Sequence, residues 1–284
     1  MDNSSLQPTV FVYGSFDNLK TFQIRFLQEA SKLGKVFILL FSDQVSFTIN
    51  GKKPAFPENE RRYYLESLRY VNQLSIIDNF VSKNEIPCID ALQKNDRVQP
   101  IWAVMENQAN PEKNDFCRIH NLRYQILPDS DLVGFPVEYT DLNFEDSKQK
   151  KVAVSGCFDW VHSGHVRFFE EVSALGDLFV IVGHDDNVKL LKGNDHPMYP
   201  QDERRYWVQS IRFVKQALVS SGHGWLDAEP EILKIRPDIF AVNEDGDKPE
   251  KRNFCMEHHI EYKVLKRQPK SGLPTRLSSI LRGY

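Results

Sequence analysis

Two histidines in the second half of the chain are the side chains best suited to chemistry. His162 and His165 lie in the run H-S-G-H, three residues apart, so on a helix they share one face. Gly164 between them lets a ligand approach the backbone closely. If a helix begins at this point, its unpaired N–H groups and positive dipole end attract anions as well. The spacing therefore predicts a cradle for the negative charge of a polyphosphate.

The segments around this motif predict the elements that position it. VAVSGCF, from Val152, is an apolar, β-branched run typical of a buried strand. HVRFFEEVSALG, from His165, repeats apolar residues at helical spacing and ends at Gly176, a candidate C-terminal cap. The alternation of strand and helix continues through DLFVIVG, DERRYWVQSIRFV, IRPDIFAVN, KPEKRNFCMEHHI and EYKVL. Such alternation predicts an α/β fold with a parallel sheet, whose ligand lies beyond the carboxyl ends of the strands.

The chain also carries an internal duplication. The segment that begins at Val10 matches, in one register, the segment that begins at Val152. The two segments are VFVYGSFDNLKTFQIRFLQEASKLGKVFILLFSDQ and VAVSGCFDWVHSGHVRFFEEVSALGDLFVIVGHDD. The aligned pairs include Gly14 with Gly156, Glu60 with Glu203 and Cys117 with Cys255. A period of about 140 residues is too long for a solenoid repeat, so each copy is expected to be a domain. The stretch at 128–150, with its Pro, Gly and charged residues, is the expected linker, and the predicted domains are 1–145 and 146–284.

Composition excludes several classes of protein. The 284 residues are 41% hydrophobic and 26% charged, as in ordinary globular proteins. The net charge of -3 provides no basic surface for nucleic acid. No apolar run suits a membrane span and the first residues do not resemble a secretory signal. Four cysteines without a C-x-x-C pair favour a reducing, cytoplasmic location. The two C-x-x-H spacings are interpreted as buried helix positions, so no metal site is predicted.

The run G-C-F-D-W-V-H-S-G-H-V from Gly156 resembles the signature of the cytidylyltransferase-like nucleotidyltransferases. The segment 181–219 is similar to that of the phosphocholine, phosphoethanolamine and glycerol-3-phosphate cytidylyltransferases, and the tandem layout is similar to that of the ethanolamine-phosphate enzymes. The resemblance implies two tandem Rossmann-like nucleotidyltransferase domains, each a parallel sheet flanked by helices. Because single domains of this family commonly pair, we expect the two copies to form an internal pseudo-dimer, with further homo-oligomerisation open.

The resemblance also implies roles for individual residues. His162 and His165 would stabilise the phosphates in the transition state, and Lys192 would contact the α-phosphate and the leaving group. Arg204 would help to hold the nucleotide or the acceptor. In the tail, Ser278 and Ser279 fit the serine-threonine part of a second family motif, with Arg276 or Arg267 as its arginine. The remaining nucleotide-binding residues expected are Gly156, Cys157, Phe158, Asp159, Gly164, Asn243, Glu244 and Asp245.

The first copy lacks the histidine motif. Lys20, Phe22 and Gln23 stand where the second copy has His162, Gly164 and His165. We therefore predict that the first domain does not catalyse nucleotidyl transfer and supports the second as a pseudo-enzyme partner. The alternative is that it binds a regulator or another substrate.

The leading functional prediction is an enzyme that transfers CMP from CTP to a phosphorylated small molecule and releases pyrophosphate. The acceptor could be a phospho-alcohol, a phospho-amino alcohol or a sugar phosphate. Mg²⁺ is expected to arrive with the nucleoside triphosphate. ATP is the alternative nucleotide, since adenylyltransferases share the H-x-G-H motif, and a non-catalytic nucleotide sensor is the alternative from another functional class.

Overall fold

The computed structural model of the chain describes residues 7–79, 82–87, 89, 98–137 and 149–276. It separates into two compact units, Met1–Gly134 and Phe135–Tyr284. The domain boundary expected at 145/146 and the tail serines Ser278 and Ser279 lie outside the described residues. No helix in the described part of the chain is long and apolar enough to cross a membrane.

Unit 1 contains one five-stranded parallel sheet in the order β3-β2-β1-β4-β5. Its described strands are β1 (Thr9–Gly14), β2 (Lys35–Phe41), β3 (Gln73–Ile77), β4 (Ile101–Met105) and β5 (Arg123–Leu127). Its described helices are α1 (Thr21–Leu33), α2 (Asp43–Asn50), α3 (Glu58–Glu66) and α4 (Pro111–Ile119).

Unit 2 repeats this arrangement, with the strand order β10-β9-β6-β7-β8 and every pairing parallel. Its strands are β6 (Lys151–Gly156), β7 (Asp177–Val182), β8 (Val214–Val219), β9 (Ile239–Asn243) and β10 (Glu261–Leu265). Its described helices are α5 (Ser163–Ser173), α6 (Asp185–Lys192), α7 (Gln201–Gln209), α8 (Glu229–Ile235) and α9 (Pro249–Glu257). The two tandem Rossmann-like halves of the predicted α/β fold are confirmed.

The central strands are buried because helices cover the sheet. In β6, the residues from Val152 to Val154 are fully buried, as expected for a parallel strand between helical layers. In α5, Val166, Phe169 and Val172 are also fully buried, so the apolar stripe predicted for this segment is the face that packs on the sheet.

One predicted helix is shorter than its pattern. The helix expected over DERRYWVQSIRFV ends at Gln209, and Val214 already begins β8. Ser210 caps the helix end, where its hydroxyl donates a hydrogen bond to the Trp207 carbonyl at 2.6 Å. The apolar residues beyond it enter the sheet, so hydrophobic spacing alone overestimated the helix.

Candidate active site

A cleft of about 660 Å³ opens in unit 2 at the carboxyl ends of the central strands. Gly156 ends β6, Asn243 ends β9 and Gly183 follows β7. The strand order reverses direction between β6 and β9, and such a switch point is where open α/β sheets bind ligands. The predicted site residues that line this cleft are Gly156, Cys157, Phe158, Asp159, Gly164, His165, Lys192, Asn243 and Asp245.

The H-S-G-H run begins α5, as its residue types predicted. His162 is the N-cap, and its Nδ1 accepts a hydrogen bond of 3.1 Å from the Gly164 N–H. Because Nδ1 accepts, the proton of the neutral ring lies on Nε2. The rings of His162 and His165 stack with their centroids 4.0 Å apart. His162 is buried, whereas His165 lines the cleft.

Both imidazoles are neutral near pH 7. Burial, with a smaller contribution from the positive charges of Arg267 and Lys192, lowers the pKa of His165 to about 3. Burial also lowers the pKa of His162, and the nearby His165 and Arg267 add to this effect. Nε2 of His162 and Nδ1 of His165 are buried and have no hydrogen-bond partner in the described part of the chain. Buried polar atoms of this kind are costly unless a ligand pairs with them.

Two cationic side chains line the same cleft. Lys192 is the last residue of α6 and is exposed. Arg267 donates to the Asp245 carboxylate and, at 3.3 Å, to the Arg276 carbonyl. Arg276 lines a smaller depression beside Gly164 rather than the main cleft. Of the two arginines considered for the tail motif, the structure therefore places Arg267 in the cleft.

Arg204 does not line the cleft. It is fully buried, and its guanidinium donates to the carbonyls of Cys157, Gly183 and Tyr199 and to the Asp185 carboxylate. In unit 1, Arg61 makes the equivalent bonds to the carbonyls of Ser15, Phe41 and Phe56 and to Asp43. Because the copy without the histidine motif keeps the same network, Arg204 joins strand ends and loops rather than facing a nucleotide.

Asp159 also has a counterpart in unit 1. Its Oδ1 accepts the N–H groups of Met198, at 2.6 Å, and Tyr199. Asp17 accepts the N–H groups of Ala55 and Phe56, one on each carboxylate oxygen, at 2.9 and 3.0 Å. The aspartate of the G-x-F-D run therefore fastens the loop before the next helix in both copies.

The structure adds cleft residues that no motif indicated. They are Ser155, Phe168, Gly183, Asn187, Val188, Leu191, His196, Trp225, Asp227 and Lys251. Glu244 is exposed and does not line the cleft. Cys157 lines it, and burial raises the pKa of its thiol, so this cysteine is protonated and unsuited to nucleophilic attack.

The equivalent positions in unit 1 carry aromatic side chains. Tyr13 and Phe41 stand where unit 2 has the small cleft residues Ser155 and Gly183. The centroids of these two rings are 5.3 Å apart, and the Tyr13 ring is also 5.3 Å from that of Trp102. Unit 1 therefore carries bulkier side chains than unit 2 at these two positions and also lacks the histidine motif.

Two carboxylates of the cleft are already engaged within the protein. In the described part of the chain, no three His, Cys, Asp or Glu side chains come together as a metal site. The Asp159 carboxylate is hydrogen-bonded to backbone N–H groups and Asp245 is paired with Arg267.

Comparison with known proteins places this site in a family. Residues 153–270 match the model of the cytidylyltransferase-like family. The chain is 40% identical over 97 residues to the FAD synthase of Ferroglobus placidus, a match that covers 34% of this chain and 60% of that protein. It is 33% identical over 131 residues to the FAD synthase of Archaeoglobus profundus, which covers 46% of this chain and 74% of that protein. It is also 32% identical over 111 residues to the bifunctional protein HldE of a Nitratiruptor species, over 38% of this chain and 23% of that protein. The chain belongs to the cytidylyltransferase-like family of nucleotidyltransferases.

Proposed function

We propose that unit 2 transfers a nucleoside monophosphate from a nucleoside triphosphate to a phosphorylated small molecule and releases pyrophosphate. The observation that carries this proposal is the pair of stacked, neutral imidazoles of His162 and His165, whose unpartnered ring nitrogens lie at the N-terminus of α5. The cations Lys192 and Arg267 share the same cleft.

The arrangement fits a reaction that needs charge neutralisation rather than a base. A phosphate monoester is already an anion near neutral pH, so its oxygen attacks the α-phosphorus directly. The bond between the α-phosphorus and the bridging oxygen breaks, and pyrophosphate leaves with the electron pair. The Nε2–H of His162, the helix N-terminus and the two cations would stabilise the charge that develops on the phosphoryl oxygens. Mg²⁺, carried in by the triphosphate, would supply further positive charge.

CTP is the first nucleotide to test and ATP the second. The family model is that of the cytidylyltransferase-like proteins, which favours CTP. The relatives named FAD synthase form flavin adenine dinucleotide, which favours ATP. The acceptors to test are phospho-alcohols, phospho-amino alcohols and sugar phosphates, with flavin mononucleotide among them because it is itself a phosphate monoester.

The experiment is an end-point assay with Mg²⁺, either nucleotide and this panel, with the products identified by mass spectrometry. We expect one nucleotide–acceptor pair to give a product linked through a diphosphate, together with pyrophosphate. Replacing His165 by alanine should lower turnover by about 10²–10³-fold. Gln23→Ala, at the equivalent position of unit 1, is the matched control and should leave turnover unchanged.

Two results would argue against the proposal. Nucleotide binding without product from any pair would favour the non-catalytic sensor. Undiminished turnover in a folded His165→Ala variant would show that the reaction takes place elsewhere.

A further inference from the structure

His196 lines the cleft as His165 does, and no sequence motif indicated it. It lies in the loop between α6 and α7. This loop begins directly after Lys192, the last residue of α6. Its Nδ1 is 2.8 Å from Oδ2 of Asp159, whose side chain is almost entirely buried. The imidazole is therefore held against a fixed carboxylate at the wall of the cleft.

The need to hold this loop in place does not explain why a histidine stands at position 196. In unit 1, Asp17 binds the corresponding loop through the N–H groups of Ala55 and Phe56, and the residue at the position of His196 is Lys53, which is exposed. The carboxylate and two backbone N–H groups thus hold the loop in both copies. The histidine is present in the copy that has an open cleft.

The hydrogen bond to Asp159 determines which ring nitrogen of His196 can contact a ligand. Oδ1 of Asp159 accepts backbone N–H groups, and Oδ2 accepts Nδ1–H of His196. In its doubly protonated form, an imidazole between a carboxylate and a phosphate donates one hydrogen bond to each of them. This role differs from that of His162, whose Nδ1 already accepts a backbone bond.

We propose that His196 is a further substrate-contacting residue, which donates from Nε2 to the phosphate chain of the nucleotide while Asp159 orients its ring. Lys192, whose expected partner is the α-phosphate, precedes the same loop by only a few residues. This inference rests on the proposed function for the identity of the ligand, but it requires only that the nucleotide binds.

The test compares His196→Asn with His196→Ala in the full chain. The asparagine amide can still donate to Asp159 and so preserves the loop contact, but it has no group at the position of Nε2. We expect both variants to bind CTP or ATP about tenfold or more weakly by isothermal titration calorimetry, which is the loss of a charge-assisted hydrogen bond. Only His196→Ala should also lower the melting temperature.

Nucleotide affinity equal to that of the unmodified chain in His196→Asn would overturn the proposal, because a purely structural role would be rescued by that variant. An unmodified chain that binds neither nucleotide would overturn it too. Binding is measured without acceptor, so a failure to find any product would refute the proposed reaction and leave the effect of His196 on binding measurable.

Discussion

At the scale of single residues, burial decides what the two motif histidines can do. Because Nδ1 of His162 accepts the Gly164 N–H, its ring is a ready Nε2–H donor. Because burial lowers the pKa of His165 to about 3, its ring also enters the reaction uncharged. Uncharged imidazoles avoid the cost of burying a charge before the nucleotide arrives.

The lowered pKa of His165 predicts that acid destabilises unit 2. The unfolded chain binds a proton at this histidine below its ordinary value of 6.5, whereas the folded chain does so only near 3. The contribution of neutral His165 to the free energy of unfolding is therefore complete above pH 6.5. It decreases as the pH falls toward 3, by up to about 1.4 kcal/mol per pH unit. Urea unfolding at several pH values should show a shallower acid limb in His165→Gln, because glutamine does not titrate. Parallel limbs for the two proteins would contradict the prediction.

The buried arginines predict matched losses of stability. Arg204→Ala removes the donor for three carbonyls and Asp185, and Arg61→Ala does the same to the equivalent groups in unit 1. Each substitution should lower the free energy of unfolding of its own unit by about 3–5 kcal/mol, because it leaves buried hydrogen-bond partners unsatisfied. Thermal and urea unfolding would measure this. If Arg204→Ala weakened nucleotide binding without lowering stability, the interpretation of Arg204 as a nucleotide ligand would be correct instead.

At the scale of elements, the N-terminus of α5 depends on the close approach of its first residues. A Cβ on Gly164 would lie 3.0 Å from Cε1 and Nδ1 of the His162 ring. The second residue of this helix turn therefore has to lack a side chain for the N-cap histidine to keep its position. Unit 1 has Phe22 there and no histidine at the cap.

Gly164→Ala should therefore disturb the site without unfolding the helix. Alanine is a better helix former than glycine, but its methyl group must displace the His162 imidazole. We expect turnover to fall by about tenfold to a hundredfold, the usual effect of a small misplacement of a catalytic group. Steady-state kinetics and circular dichroism would measure the two effects separately, with Phe22→Ala in unit 1 as the control. Full activity in Gly164→Ala would refute the packing argument.

At the scale of the whole molecule, the two units share a framework but differ in the space at their strand ends. Both keep the aspartate that fastens a loop and the arginine that joins the strands. In unit 1, the rings of Tyr13 and Phe41 take the positions of Ser155 and Gly183. This difference supports the prediction that the first domain is a pseudo-enzyme.

The bulky Tyr13 and Phe41 in unit 1 predict that one chain binds one nucleotide. Isothermal titration calorimetry with CTP or ATP should give a stoichiometry of one. Lys20→His, Phe22→Gly and Gln23→His together restore the H-x-G-H pattern to unit 1, but they should not create a second site because Tyr13 and Phe41 are unchanged. A stoichiometry of two in the unmodified chain would instead support the alternative that unit 1 binds a ligand of its own.

The sequence alone was sufficient for the features that depend on local pattern and on repetition. Hydrophobic periodicity and the glycines at strand ends predicted the order of strands and helices, and the duplication predicted two similar α/β units. The H-S-G-H run predicted the N-terminus of a helix and two imidazoles on one face, because each of these properties arises within a few residues.

Only the tertiary structure decided which charged side chains face the cleft. Nothing in the local sequence distinguishes Arg204 from Arg267. Yet Arg204 is enclosed by carbonyls from three separate segments, whereas Arg267 lines the cleft. His196 likewise meets Asp159 across 37 positions of the chain. A side chain's partners depend on which segments the fold brings together, and local spacing carries no information about such distant contacts.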